Sequence, residues 1–188
     1  FVDLAYQGFA AGLDEDAYGV RLLAGKVPEM IVSTSCSKNF GLYRDRVGSL
    51  SIVSSNAKTA GIVRSQAHNL VRTMYSMPPD HGAAIVRNIL GTAELRSTWH
   101  DEVNEMRDRL QAMRSSLVAA LRKEAPDHDF SHVSRANGMF CFLGLSEDQV
   151  ERMKKDSGVY MVGSSRINVA GITPGNVDYL AAAIASVL

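Results

Sequence analysis

The sequence predicts an α/β protein of two units joined by one long helix, on three observations. Short apolar runs at 1–5, 29–35 and 48–55 enclose a helical stretch at 14–27, the strand–helix–strand order of a parallel or mixed sheet. Apolar residues recur every three or four positions from Leu95 to Leu121, a run too long for one small core. Strand and helix patterns then alternate again over 126–188.

Composition narrows the partners. The 188 residues are 46% hydrophobic and 21% charged, an ordinary globular balance. Twenty basic residues cancel twenty acidic ones, so no overall field favours nucleic acid or an anionic membrane, and any anion must be captured locally. No apolar run is long enough to predict a membrane span. The two cysteines, Cys36 and Cys141, have no metal-ligand spacing and predict a reducing, cytoplasmic compartment. The chain opens on the apolar stretch FVDLAYQGF, which predicts a piece of a longer protein cut within a domain.

The elements follow in order. The run at 1–5 reads as a buried strand. The stretch 14–27 reads as a helix through Ala17, Val20, Leu23 and Ala24, with acids in its first turn and Gly25 near its end. Strands follow at 29–35 and 48–55. A helix over 56–75 places Ile62, Val63, Leu70 and Val71 near one face, and the prolines of SMPPDHG stop it. A short helix fills 83–91. In the long helix, Leu95, Trp99, Val103, Met106, Leu110, Met113, Leu117 and Leu121 form a packing stripe. Beyond PDHD, 138–145 reads as a strand. Ser146 and Gln149 form a capping box for a helix to about 157, closed by Gly158. Strands are predicted at 159–162 and 166–171, then a terminal helix with Thr173 and Pro174 at its N-cap and first position. The expected boundaries are 1–91, a linking helix over 92–125, and a small domain over 126–188.

A few residues invite chemistry. Asp3 at a strand end is an acceptor facing a crevice, or a hydrogen-bonded turn residue. Tyr6 alone suits a core edge. Lys38 in STSCSKNFGLYRDRVG is either a solvated strand-end residue or a nucleophile held in a pocket. Arg46 beside Ser35 and Ser37 suits a phosphate, or a surface ion pair with Asp45.

Together and in this order, DLAYQGF, STSCSKNFGLYRDRVG, YSMPPDHGA, NGMF and SSRINVAG resemble the aspartate/aromatic aminotransferases of pyridoxal-phosphate fold type I, along the whole chain. The resemblance implies that 1–91 is the C-terminal part of a large cofactor-binding domain with helices on both faces of its sheet. It implies pyridoxal 5'-phosphate as cofactor, held covalently by Lys38, which also moves the proton at the substrate Cα. It assigns Asp3 to the pyridine nitrogen, Tyr6 to the phenolic oxygen, and Ser35 and Arg46 to the phosphate. Arg166 would bind the substrate α-carboxylate, with Phe140 lining the same site; a strand-end cap is the plainer alternative for Arg166. Arg72 would reach a partner subunit's site in a homodimer to recognise a side-chain carboxylate, and Ser76 would reach the partner's phosphate.

The implied activity is ping-pong transfer of an amino group between aspartate, glutamate or an aromatic amino acid and a 2-oxo acid. A β-lyase or decarboxylase on the same fold, and a non-catalytic dimerisation fragment, are the other readings; two arginines suited to dicarboxylates weigh against the lyase. The family commonly carries smaller or more polar residues where Met77 and Thr73–Met74 stand, so aromatic substrates are expected alongside dicarboxylic ones. Family members are roughly twice this length, so the isolated fragment is expected to be inactive.

Overall fold

Parallel pairing of the first two strands decides where the loops of the first unit emerge. In the computed structural model, which describes residues 1–188, β1 (Val2–Leu4), β2 (Met30–Ser35) and β3 (Gly48–Val53) form one sheet in that order. β1 runs parallel to β2 with Asp3 opposite Ser33, and β3 returns antiparallel with Gly48 opposite Ser35. The sheet is therefore mixed. Close approach selects the glycine: a Cβ at Gly48 would run into the Thr34 carbonyl oxygen. Met30 and Val32 of β2 are buried.

Four helices follow from the same segment of sequence: α1 (Tyr18–Ala24), α2 (Ala57–Tyr75), α3 (His81–Gly91) and α4 (Ala93–Glu124). The chain divides into two compact units, Phe1–Asn104 and Glu105–Leu188, and the division falls inside α4. Helix α1 is shorter than the predicted 14–27, because its acids serve a different purpose. The Asp16 carboxylate accepts the backbone N–H groups of Gly8, Ala10, Ala11 and Gly12, so it closes the loop before the helix instead of leading the first turn. Helix α2 begins after Asn56, whose side chain accepts from the Thr59 N–H at 2.9 Å. None of its residues is buried; Ile62 and Leu70, expected on a packed face, are exposed.

Along α4, Val103, Leu110, Met113, Leu117 and Leu121 are buried as the stripe predicts, whereas Leu95 and Met106 are exposed. A short helix that the sequence did not suggest, α5 (Ser131–Arg135), precedes β4 (Phe140–Phe142). β4 is shorter than 138–145 because the backbone turns left-handed at Gly138 and Gly144. α6 (Glu147–Ser157) carries the expected capping box and closes at Gly158. The predicted strand at 159–162 is absent: the Ser165 N–H donates to the Val162 carbonyl and turns the segment, so its apolar residues find no ladder. β5 (Arg166–Asn168) pairs antiparallel with β4, setting Phe142 opposite Arg166 and Phe140 opposite Asn168. A 3₁₀ turn occupies Val169–Gly171. The last helix, α7 (Val177–Ala185), starts after Asn176 and not at Pro174. Thr173 instead closes a turn, its N–H donating to Asn176 Oδ1 at 2.8 Å. No helix is long and apolar enough to cross a membrane.

Asp16 makes the first unit sensitive to acid. Burial pushes its carboxyl up, but four backbone N–H donors outweigh that and hold it below the usual carboxylate range. Its contribution is present above the unfolded value of about 3.9 and is lost as pH falls through the lower folded value. Asp16→Asn is expected to lower the thermal midpoint at neutral pH, with a deficit that narrows below about pH 4. Thermal melts of both proteins against pH check this; a deficit independent of pH would sink it.

Candidate active site

Lys38 sits on a loop closed at its neck. After β2 ends at Ser35, the Cys36 N–H donates to the Val47 carbonyl at 3.0 Å and the Leu42 N–H to the Cys36 carbonyl at 3.2 Å. Inside the loop, the Gly41 N–H donates to the Lys38 carbonyl at 3.1 Å. The buried Ser37 is fixed by its N–H to Ser35 Oγ at 3.1 Å. Lys38 is half-buried, and its Nζ lies 4.5 Å from the centroid of the Tyr6 ring, within cation–π distance.

Neighbouring residues hold that contact. Asn39 Nδ2 donates to the Gln7 carbonyl at 3.2 Å, and Gln7 Nε2 to the Leu13 carbonyl at 2.7 Å. Trp99 Nε1 donates to the Asn39 carbonyl at 2.6 Å, while its ring stacks on Phe40 at 4.5 Å. The residue after Tyr6 is thus tied to the residue after Lys38. Asn39 Oδ1 is buried without a partner, a local cost of about 1–3 kcal/mol.

Asp3 is exposed on β1, and Ser35 is half-buried at the end of β2. Arg46 is exposed and donates from Nη1 to the Tyr43 carbonyl at 2.8 Å, instead of pairing with Asp45 or closing on Ser35 and Ser37. Arg72 and Ser76 meet at the end of α2, Nη1 to Oγ at 3.5 Å, both exposed. A cleft of about 500 Å³ is lined by Leu4, Gln7, Ser35, Cys36, Asn39 and Trp99 among others. Neither Lys38 nor Tyr6 lines it, so cleft volume alone points beside the lysine. Burial there pushes the Cys36 thiol up.

Arg166 and Phe140 belong to the second unit. The Arg166 guanidinium carbon lies 5.0 Å from the centroid of the Phe140 ring, within cation–π distance. Both border a cleft of about 450 Å³ that also includes Tyr160, Ile172 and Tyr179. Ser165 precedes Arg166, is buried, and accepts the N–H groups of Gly144 and Leu145 at 3.1 and 3.2 Å.

Three non-glycine residues have positive φ, Arg46, Ser76 and Ser165, at 54°, 63° and 59°; Ser76, with ψ of −68°, centres a tight turn in which the Met77 N–H donates to the Tyr75 carbonyl at 2.7 Å. Two are sequence candidates and the third adjoins one, in keeping with strain gathering at functional sites. The sequence singled out neither Gln7 and Asn39 nor Ser165, and gave Trp99 only a packing role. For Gln7 and Asn39 the available signal was adjacency to Tyr6 and Lys38.

Comparison with known proteins points one way. The family model for aminotransferase class I and II matches residues 1–184. The aromatic-amino-acid aminotransferase of Pseudomonas aeruginosa is 50% identical over 186 residues, 99% of this chain and 47% of that protein. The aspartate aminotransferase of Escherichia coli is 47% identical over 186 residues, again 99% and 47%. Among solved structures, the aromatic-amino-acid aminotransferase of Burkholderia pseudomallei, covalently bound to pyridoxal phosphate, superposes with a TM-score of 0.96 at 45% identity, covering 100% of this chain and 48% of that one. A mitochondrial aspartate aminotransferase of Trypanosoma brucei gives 0.96 at 41% identity, covering 100% and 49%. The chain spans about half the length of the curated relatives it matches.

Trp99→Phe isolates the clamp on the lysine loop, keeping a ring to stack on Phe40 while removing the N–H donor. The expected loss is about 0.5–1.5 kcal/mol of stability, with faster hydrogen exchange at the Gly41 and Leu42 amides. Unchanged exchange at those amides would reduce Trp99 to packing alone.

Proposed function

Because this chain belongs to the class I and II aminotransferases, we propose that it forms the reactive-lysine half of a pyridoxal-phosphate-dependent aminotransferase. Its substrates would be aspartate, glutamate or aromatic amino acids and their 2-oxo acids, exchanged in ping-pong order. The observation that carries this reading is Lys38, half-buried 4.5 Å over the Tyr6 ring on a loop tied down by Asn39.

The donors present fit the cofactor. A primary amine (Lys38), a phenol (Tyr6), a carboxylate on the adjoining strand (Asp3), and a hydroxyl and guanidinium flanking the loop (Ser35, Arg46) match an aldehyde, a phenolic oxygen, a ring nitrogen and a phosphate in turn. When bound, pyridoxal phosphate supplies the electron sink for the pair left at the substrate Cα. Lys38 would anchor it and would carry the proton removed from the substrate Cα. The Asp3 carboxylate would hold the ring nitrogen, favouring its protonated form, and the Tyr6 hydroxyl would serve the phenolic oxygen. Ser35 and Arg46 would hold the phosphate, Arg46 exchanging its bond to the Tyr43 carbonyl for one to the anion. Arg166 takes the substrate α-carboxylate in bidentate fashion, backed by Phe140.

We further propose a homodimer in which Arg72 and Ser76 serve the partner's site. Both are exposed at the end of a helix that buries none of its residues, and Leu70, Met74 and Met77 beside them are exposed as well. The free thiols Cys36 and Cys141 suit a reducing, cytoplasmic compartment.

Two measurements test this. Pyridoxal phosphate added to the full-length protein is expected to give a pH-dependent aldimine band that aspartate or phenylalanine discharges and that Lys38→Ala replaces with the spectrum of the unlinked aldehyde. An aldimine band of wild-type position and pH dependence in Lys38→Ala would remove Lys38 from its role. For the dimer, mixing Lys38→Ala and Arg72→Ala proteins is expected to restore roughly a quarter of wild-type aspartate turnover, since hybrid dimers regain one intact site. No recovery on mixing, once exchange of subunits is verified, would place Arg72 in its own subunit's site or outside any.

A further inference from the structure

The chain buries three polar side chains, Ser37, Arg114 and Ser165, at 6%, 2% and 1% exposure. Ser37 precedes Lys38 and Ser165 precedes Arg166. Arg114 lies far from both in sequence, yet it reaches the strand that carries Phe140. Its Nη2 donates to the carbonyls of Gly138 and Phe140, the latter at 3.1 Å, and its Nη1 to the carbonyl of Val133 at 3.3 Å. Arg109, on the same helix, donates to the carbonyls of Ala170 and Ile172 at 3.3 and 2.8 Å, just past the strand that carries Arg166.

We propose that Arg114 and Arg109 are positioning residues that set the Arg166–Phe140 pair for carboxylate binding. The inference rests on the reading of Arg166 as a carboxylate ligand. A buried guanidinium is expensive to desolvate, and an apolar side chain of similar volume stabilises a core at least as well. What a planar fork adds is direction: two nitrogens aimed at fixed carbonyls define where a strand lies and how it is turned. Arg114 bonds the carbonyl of Phe140 itself, so the backbone from which the ring projects is held by a rigid group. Arg109 holds the turn beyond β5, and the β4–β5 ladder with Phe142 opposite Arg166 joins the two. The backbone on either side of the ring and the guanidinium 5.0 Å from it is therefore tied to one helix, α4. Small misplacement at such a pair is felt strongly, since recognition by a fork depends on geometry more than on charge.

The test uses the full-length protein loaded with cofactor, with succinate as an unreactive dicarboxylate probe followed by calorimetry, and aspartate for kinetics. Arg114→Lys keeps the charge but loses the fork; Arg109→Met removes an exposed guanidinium and leaves the core intact. Each is expected to weaken succinate about tenfold and to raise KM for aspartate with kcat changed less than about threefold. Arg166→Lys serves as the reference and is expected to weaken succinate at least as much. If both positioning variants lower the thermal midpoint but bind succinate like wild type, their role is structural and the inference is overturned while Arg166 keeps its role. If Arg166→Lys itself binds succinate normally, the carboxylate reading fails, and the inference with it. Should Arg114→Lys not fold, Arg109→Met decides alone.

Discussion

The hydrogen bond from Asn39 to the Gln7 carbonyl joins two loops that share no secondary structure, and the candidate chemistry of the first unit depends on it. Tyr6 follows β1 and Lys38 follows β2; because the two strands are parallel, both loops leave the same edge of the sheet. Parallel pairing brings them near each other but does not fix their distance. The Asn39–Gln7 bond does, and the Trp99 indole pins Asn39 from its other side. β3 then returns antiparallel to the same edge, so Val47 and Gly48 close the lysine loop at its base. A loop with both ends on one sheet edge and its middle bonded twice has few ways to relax, which is what a reactive amine on a loop requires.

The second unit solves a different problem. Phe140 and Arg166 lie on three-residue strands, too short for a ladder to be stiff by itself. Left-handed turns at Gly138 and Gly144 expose carbonyls and amides that the ladder does not use. Guanidinium groups take up several of the carbonyls, and Ser165 Oγ takes the Gly144 and Leu145 amides. Hydrogen bonds from a charged donor are worth about 1.5–3 kcal/mol each, enough to order a short strand pair whose own backbone bonds are few.

How much of this could be read in advance depended on whether a signal was local. The apolar runs of β2 and β3 and the Ser146–Gln149 capping box need only near neighbours and are present, as is the α4 stripe except at the exposed Leu95 and Met106. The run at 159–162 looked like a strand because its residues suit one; whether a partner strand exists beside it is decided elsewhere in the chain. Asp14 to Asp16 looked like a helix start, yet Asp16 accepts amides four to eight residues before it, a competition that spacing does not reveal. Tyr6, Lys38 and Arg166 were legible only as members of a set of motifs. Trp99 lies 60 residues from its acceptor Asn39, and Arg114 lies 26 from Phe140. No window of sequence contains either pair, so their part in holding the site could not be read from pattern.

The positive-φ residues show how the site tolerates strain. Glycine would remove the steric cost at Arg46, Ser76 and Ser165, which is of order 1–3 kcal/mol each. It would also remove a side-chain bond at every one of them. Arg46 donates to the Tyr43 carbonyl, Ser76 Oγ meets Arg72, and Ser165 Oγ accepts two amides. Neutral bonds recover about 0.5–1.5 kcal/mol and charged ones more, so at Ser165, where two are made in a buried setting, the balance is close to even. At Ser76, with one bond at 3.5 Å, the offset is weakest and the strain least compensated within this chain. That residue, with Arg72, is also the one proposed to face a partner subunit, where further donors and acceptors would complete what the chain alone leaves short.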